Sequence, residues 1–251
     1  MFHVLTASGF DVATRNHAQA ILAGDFADEV SGLVGALLGF SVPARELIKS
    51  GGGQAASTMR LRDALYAQGW RKHKFVVQTI VDGTEREATS HEMDHVKNCP
   101  NGTLALEIEW NNKDPFFDRD LENFQRLHAQ GAISLGVLVT RGSSLQAAMT
   151  RIVASTIRRE GIVDASELKS WGMKERTERQ MTTLAALIEK QVPFAEAFAQ
   201  SFVADKFGAA TTHWSKLDDR IKRGVGNPCP LLLIGLPLSA VSDYSAASPE
   251  L

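Results

Sequence analysis

One alternating segment, residues 104–110, constrains the fold more than any other part of the chain. Its apolar residues alternate with Ala105, Glu107 and Glu109, which is the period of a β-strand with one apolar and one acidic face. The turn-forming sequence Cys-Pro-Asn-Gly precedes it at residues 99–102. Residues 92–97 are therefore predicted to fold back as an antiparallel strand beside it.

This hairpin would bring Asp94 close to Glu107 and Glu109. Three converging carboxylates repel one another unless protons or a cation relieve the repulsion. Mg²⁺ prefers oxygen ligands and commonly binds two or three carboxylates together with substrate phosphates. The pattern therefore predicts a site for one or two Mg²⁺ ions. The alternative is a half-exposed strand whose two glutamates are simply solvated.

An Asp on one strand, a Glu-x-Glu on the next and a helix after it resemble the nuclease core of the PD-(D/E)xK superfamily of type II restriction endonucleases. Residues 107–112 and the later apolar segments are most similar to its BglII/BstYI group, and the doubled glutamate is similar to that of BamHI. The resemblance covers roughly residues 70 to 240. It implies an α/β fold with a central mixed β-sheet flanked by helices.

The same resemblance implies an Mg²⁺-dependent endonuclease that cuts double-stranded DNA at a short palindromic site. Asp94, Glu107 and Glu109 would then be both catalytic residues and metal ligands. Glu109 stands where most relatives carry a lysine, so it must act as a ligand or as a base. A homodimer and a cognate DNA methyltransferase encoded nearby are also implied.

DNA-binding residues are expected in two polar stretches. Asn111, Asn112 and Lys113 follow the acidic strand, where relatives read bases and where asparagine can pair with adenine. Residues 208–227 combine hydroxyls, a histidine and basic side chains, which suits a loop over DNA as well as a solvated helix. The remaining predicted contacts are Arg141, Thr211, Thr212, His213, Lys216, Arg220 and Arg223.

Helical and strand patterns divide the chain into three parts of one domain. Residues 1–70 form a predicted N-terminal helical subregion packed on the core, residues 71–240 the nuclease core and residues 241–251 a loose tail. Apolar segments at 132–140 and 230–235 surround a predicted helix that ends near Arg159. This strand–helix order predicts that part of the sheet is parallel.

Amino-acid composition excludes few classes of function. A net charge of −2 neither supports nor excludes nucleic acid, because basic residues can cluster on one face. The two cysteines indicate free thiols, and the lack of a long apolar run predicts a cytoplasmic protein without membrane contact. His91, His95 and Cys99 are zinc-ligand types, although a structural zinc usually takes four ligands.

The sequence therefore leaves three functional hypotheses open. The first is a restriction endonuclease, and the second is a DNA-repair or junction nuclease of the same fold. The third is a non-catalytic module whose acidic face binds a basic partner or a structural cation. Cleavage of a plasmid in Mg²⁺ would distinguish them, because only the first gives discrete fragments.

Overall fold

The computed structural model describes residues 1–50 and 55–244 of the chain, and these form an α/β fold with one central sheet. The helices are α1 (His3–Ala7), α2 (Ala18–Asp25), α3 (Ala27–Leu38), α4 (Ala44–Leu47), α5 (Ala56–Ala67), α6 (Phe116–Ala129), α7 (Ser143–Arg159), α8 (Glu178–Glu189), α9 (Phe194–Lys206) and α10 (Trp214–Lys222). The strands are β1 (Asp11–Arg15), β2 (Arg71–Val81), β3 (Thr84–Cys99), β4 (Gly102–Glu109), β5 (Leu135–Arg141) and β6 (Leu231–Leu236). Short 3₁₀ helices cover Ala165–Trp171 and Leu238–Ala240.

Within the described residues the strands form a single six-stranded sheet in the order β1-β6-β5-β4-β3-β2. β4, β5 and β6 run parallel, with Leu104 opposite Leu135 and Gly136 opposite Leu231. The outer strands pair antiparallel. The predicted mixed sheet with a parallel centre is confirmed, and β4 lies in its middle.

Helices cover both faces of the sheet. Leu104 and Leu106 of β4 belong to a large apolar cluster with the N-terminal helices, α7 and α9. Ala105 belongs to a second cluster with α6 and α10. Gly136 allows α6 to approach β5 closely, because a Cβ atom there would lie 2.6 Å from the Phe124 ring. The two-faced pattern predicted for β4 is confirmed, but α6 covers the acidic face as well.

β2 and β3 form a long hairpin that extends beyond the rest of the sheet. Its turn is Asp82-Gly83, both with positive φ, as in the tight turns that favour hairpins. β3 pairs with β4 only from His95 to Cys99, whereas its pairing with β2 continues to Thr84. Asp94 therefore lies where the hairpin leaves the sheet.

The N-terminal region differs from the helical subregion predicted for residues 1–70. β1 adds an edge strand to the sheet, with Asp11 opposite Gly235. The tail also differs in its first residues, since Val241 is buried and bridges to Val42. Residues 245–251 of the predicted tail lie outside the described part. No helix among the described residues has the length and apolar character needed to cross a membrane.

Candidate active site

Glu107 and Glu109 lie at the C-terminal end of β4, beneath α6. Their relative exposures are only 6% and 3%. The alternative of a solvated acidic strand face is therefore wrong. Burial of two carboxylates at alternate positions of a central strand is costly unless partners or a ligand offset it.

Asp94 lies next to this pair, as the hairpin predicts. Its backbone N–H donates to Glu107 Oε1 at 3.1 Å. β3 carries an irregularity between Met93 and Val96, where its register to β2 shifts. Such irregularities often redirect side chains near functional sites. The predicted trio of Asp94, Glu107 and Glu109 is thus brought together.

A fourth carboxylate, Asp120 of α6, joins the cluster. Asp120 is 2% exposed, it interacts directly with Glu109, and its Oδ2 atom has no hydrogen-bond partner. An acid this close to a helix N-terminus is ordinarily explained by the helix dipole. Its spacing from Phe117 and Leu121 puts it on the apolar face of α6, and this interruption is the signal that sequence reasoning missed.

The cluster holds protons more strongly than free carboxylates. Burial raises the pKa of Glu107 well above its usual value, and the charges of Asp120 and Asp94 raise it further. Burial and the neighbouring Asp120 raise the pKa of Glu109 to about 8. Burial also raises the pKa of Asp120. The site is therefore short of positive charge.

Two side chains offset part of this repulsion. The Asn112 amide donates to Glu109 Oε2 at 2.7 Å. Arg119 donates to Glu109 Oε1 at 3.4 Å and forms a closer ion pair with Asp120, at 2.7 Å. Arg119 is half exposed, so its charge is partly screened by solvent.

These residues fit a hard divalent cation. Every candidate metal ligand in the cluster is a carboxylate oxygen. Asp120 Oδ2 is buried and has no hydrogen-bond partner. Among the described residues, no group of three or more Asp, Glu, His or Cys side chains is placed to hold a metal ion in the present arrangement. A site of this type needs only one or two carboxylates, because phosphate oxygens and water complete the shell. Asp94 and Glu107 are the pair predicted as ligands, and the Asp94 backbone N–H already bonds to the Glu107 carboxylate.

The zinc alternative is not supported by the positions of its three candidate ligands. His91, His95 and Cys99 follow one another along β3 at intervals of four residues, which separates successive Cα atoms by about 13 Å. His95 is buried, and its Nδ1 hydrogen-bonds to the Leu106 carbonyl oxygen at 3.2 Å. Burial lowers the pKa of His95.

A cavity of about 230 Å³ borders the end of β4. Of the four clustered carboxylates only Asp94 lines it, and His95, Trp110, Asn111 and Asn112 also contribute. The Nε2 atom of His95 is buried without a hydrogen-bond partner. Asn111 shares this cavity with Asp94, and Asn112 bonds to Glu109, so both predicted base-reading asparagines adjoin the carboxylate cluster.

The segment after β4 runs beside the loop that precedes α10. Lys113 forms an antiparallel bridge with Thr211, and the Thr212 N–H donates to the Asn112 carbonyl at 2.8 Å. The two predicted DNA-binding stretches are therefore neighbours. Thr212 itself is fully buried, so only its backbone takes part here.

Arg141 is not placed to contact DNA, because it is 0% exposed. Its Nε donates to the Trp110 carbonyl at 2.7 Å, and Nη2 donates to Thr211 Oγ1 and the Thr212 carbonyl. Nη1 bonds to Gln146 and more weakly to the Phe207 carbonyl. The guanidinium therefore fastens the end of β4 to the loop before α10, and its burial lowers its pKa to about 9.

Of the two alternatives for this stretch, a loop over DNA or a helix, the structure shows a helix at Lys216 and Arg220, since α10 runs from Trp214 to Lys222. Arg220 is buried and pairs with Asp118 at 2.9 Å. Lys216 is 3.6 Å from Asp114, and Arg223 is exposed. His213 precedes the helix and is nearly buried. Lys216 and Arg223 are the better placed for a phosphate backbone.

The comparisons with known proteins agree with this architecture. Residues 10–236 match the family described as restriction endonuclease BglII/BglIII. The match begins well before residue 70, so it includes the edge strand β1. No curated protein matches the chain. Because the match covers most of the chain, this protein belongs to the BglII/BglIII family of type II restriction endonucleases and is a site-specific deoxyribonuclease.

Proposed function

We propose that the enzyme cleaves double-stranded DNA at a short palindromic site with Mg²⁺, using Asp94 and Glu107 as metal ligands and Glu109 as a base. The observation that carries this proposal is the buried carboxylate cluster at the end of β4. Its raised pKa values indicate a deficit of positive charge that a divalent cation would correct.

Asp94 and Glu107 would hold one or two ions against the scissile phosphate. A bound Mg²⁺ supplies Lewis acidity towards the phosphoryl oxygens and lowers the pKa of a bound water. The Asp94 N–H fixes one Glu107 oxygen, so the Glu107 carboxylate is held in one orientation. The covering α6 limits access of bulk water to Glu109 and Asp120.

Glu109 is suited to accept a proton from the attacking water. A general base works best when its pKa lies near the working pH, and burial beside Asp120 raises the pKa of Glu109 to about 8. Asn112 and Arg119 each donate to one of its carboxylate oxygens, which favours the ionised form. Asp120 can share the proton that Glu109 receives.

DNA would be read from the mouth of this site. Asn111 and Asn112 can bond to base edges, and Lys113 with Thr211 can contact phosphates from the paired segments beside them. In the observed state the Asn112 amide is bound to Glu109, so base reading by Asn112 would require release of this bond. His213, Lys216 and Arg223 would contact the backbone.

Digestion of a plasmid tests the proposal. In Mg²⁺ the wild-type protein should give discrete fragments, whereas Asp94→Asn and Glu107→Gln should abolish cutting and still bind DNA in Ca²⁺. Glu122→Gln, on the exposed side of α6, is the matched control and should cut normally. Near-normal cutting by either active-site variant would show that the site is wrongly assigned.

We also propose a homodimer, with a cognate DNA methyltransferase encoded nearby. One centre of this kind cuts one strand, so cleavage of both strands at a palindrome calls for two centres related by a two-fold axis. A two-fold dimer supplies them through one self-complementary interface. Genomic neighbours that methylate the same sequence would support this role.

A further inference from the structure

A second cavity, of about 620 Å³, also borders Asn111. Asn111 lines both cavities, so they meet at the end of β4. Five cationic side chains line the larger one, and we name it the basic cleft after them. They are Lys49, Lys113, Lys174, Arg176 and Lys206.

The basic cleft has an excess of positive charge, with five cationic lining residues against three acidic ones, of which Asp205 also attracts Arg176. Its three acidic lining residues are each engaged by cations outside the lining: Asp114 by Lys216 and Arg220, Glu175 by Lys169, and Asp205 by Arg179. Across residues 1–50 and 55–244, none of the five lining cations forms a salt bridge. The cleft therefore attracts anions.

Two of the lining cations, Lys206 and Arg176, are in environments that disfavour their positive charge or leave a donor unsatisfied. Lys206 Nζ donates to the Leu47 and Lys49 carbonyls, and burial lowers its pKa to about 8, with further lowering by Arg141 and Lys49. Arg176 Nη2 donates to Ser201 Oγ, while its buried Nε has no hydrogen-bond partner. An anion in the cleft would relieve both the repulsion and the unsatisfied donor.

The rim of the basic cleft favours an extended anion over a compact one. Lys49 follows α4, Lys113 follows β4 and Lys174 precedes α8, so three different segments supply point charges. Compact phosphate sites instead converge several donors on one group. A row of separate lysines suits successive phosphates of a nucleic-acid backbone.

Resting on the proposed endonuclease function, we propose that the basic cleft binds the DNA phosphate backbone outside the recognition site. The carboxylate cluster receives the scissile phosphate, and the strand continues past Asn111 into the cleft. The contacts add affinity without reading sequence, since they reach only phosphates.

A salt titration of DNA binding in Ca²⁺ tests this proposal. Two duplexes are built around the sequence at which the wild-type enzyme cuts a plasmid. One ends a base pair or two beyond the site, and the other continues for a full helical turn on each side. The test variant is Lys49→Ala with Lys174→Ala. Lys190→Ala, at the exposed far end of α8, is the control.

Each lost phosphate contact lowers the slope of log affinity against log salt by about 0.9. For the double variant we expect the slope on the long duplex to fall by about 2 and the slope on the short duplex to match wild type. The Lys190 variant should match wild type on both. Thermal melts of all variants should coincide, because the substituted lysines are exposed.

Three results would overturn the proposal. The slope on the long duplex could remain at the wild-type value, or both duplexes could lose the same amount. Calorimetry could instead show saturable binding of inorganic phosphate that the double variant loses, which would indicate a small-anion site. If the wild-type protein fails to cut any plasmid, the proposed function fails, while titration with a long duplex of arbitrary sequence still tests the cleft.

Discussion

Replacement of Arg141 tests how the end of the catalytic strand is held. In Arg141→Met the side chain keeps its apolar stem and loses all five hydrogen bonds of the guanidinium. Three of the acceptors are backbone carbonyls, of Trp110, Phe207 and Thr212. A buried acceptor left without a donor costs about 1–3 kcal/mol.

The net loss is smaller than the sum of these terms. Arg141 has no carboxylate partner among its contacts, so removal of its buried charge recovers part of the desolvation cost. We expect Arg141→Met to lower the free energy of unfolding by about 3–5 kcal/mol. Arg141→Lys keeps a charge but cannot reach both sides of the junction, and we expect a loss of about 2 kcal/mol.

Urea denaturation at neutral pH measures these losses, with the m-value as a check that the unfolding transition is unchanged. Arg126→Met is the control, since Arg126 is exposed and forms only a helical ion pair with Glu122, worth about 0.5 kcal/mol. A Met variant of Arg141 as stable as wild type would refute the role of the guanidinium as a fastening between β4 and the loop.

Three further predictions concern the carboxylates and the assembly. Burial raises the pKa of Glu109 to about 8 in the folded protein, so metal-free protein should lose stability as pH rises from about 4.5 to 8. In chelator, Glu109→Gln should therefore be more stable than wild type at pH 7. Near pH 4 the two proteins should be equally stable. Urea midpoints that do not converge at low pH would contradict this. Asp120→Asn should lower kcat by about 10- to 100-fold in plasmid cleavage, with DNA binding in Ca²⁺ retained, as expected when the neighbour of a metal-site base is removed; an unchanged kcat would exclude a role. Light scattering should give twice the chain mass of 27.3 kDa, and a monomer that nicks one strand would contradict the dimer.

Local sequence patterns were sufficient to predict much of the core. The alternation in residues 104–110 predicted β4 with its two faces. The helix after β5 was predicted to end near Arg159, where α7 ends. These signals are strong because periodicity and turn chemistry act within a few residues of one another.

The features that the sequence did not reveal depend on contacts between residues that are far apart in the chain. Nothing local shows that Asp11–Arg15 pairs with a strand near the other end of the chain. Arg141 resembles any basic residue after a strand until the loop from Phe207 closes over it. Asp120 changes from a helix-terminal acid to a buried partner of Glu109 only when α6 lies on β4.

The pairing of β1 with β6 also has a consequence for synthesis of the enzyme. β1 is synthesised long before β6, its only partner strand in the described sheet. A nascent chain that stops before Leu231 leaves β1 without a partner strand and β5 open on one side, and open strand edges invite aggregation. The described sheet is therefore complete only after Leu236 is made, so a nuclease chain that stops earlier lacks the finished scaffold on which its carboxylates depend.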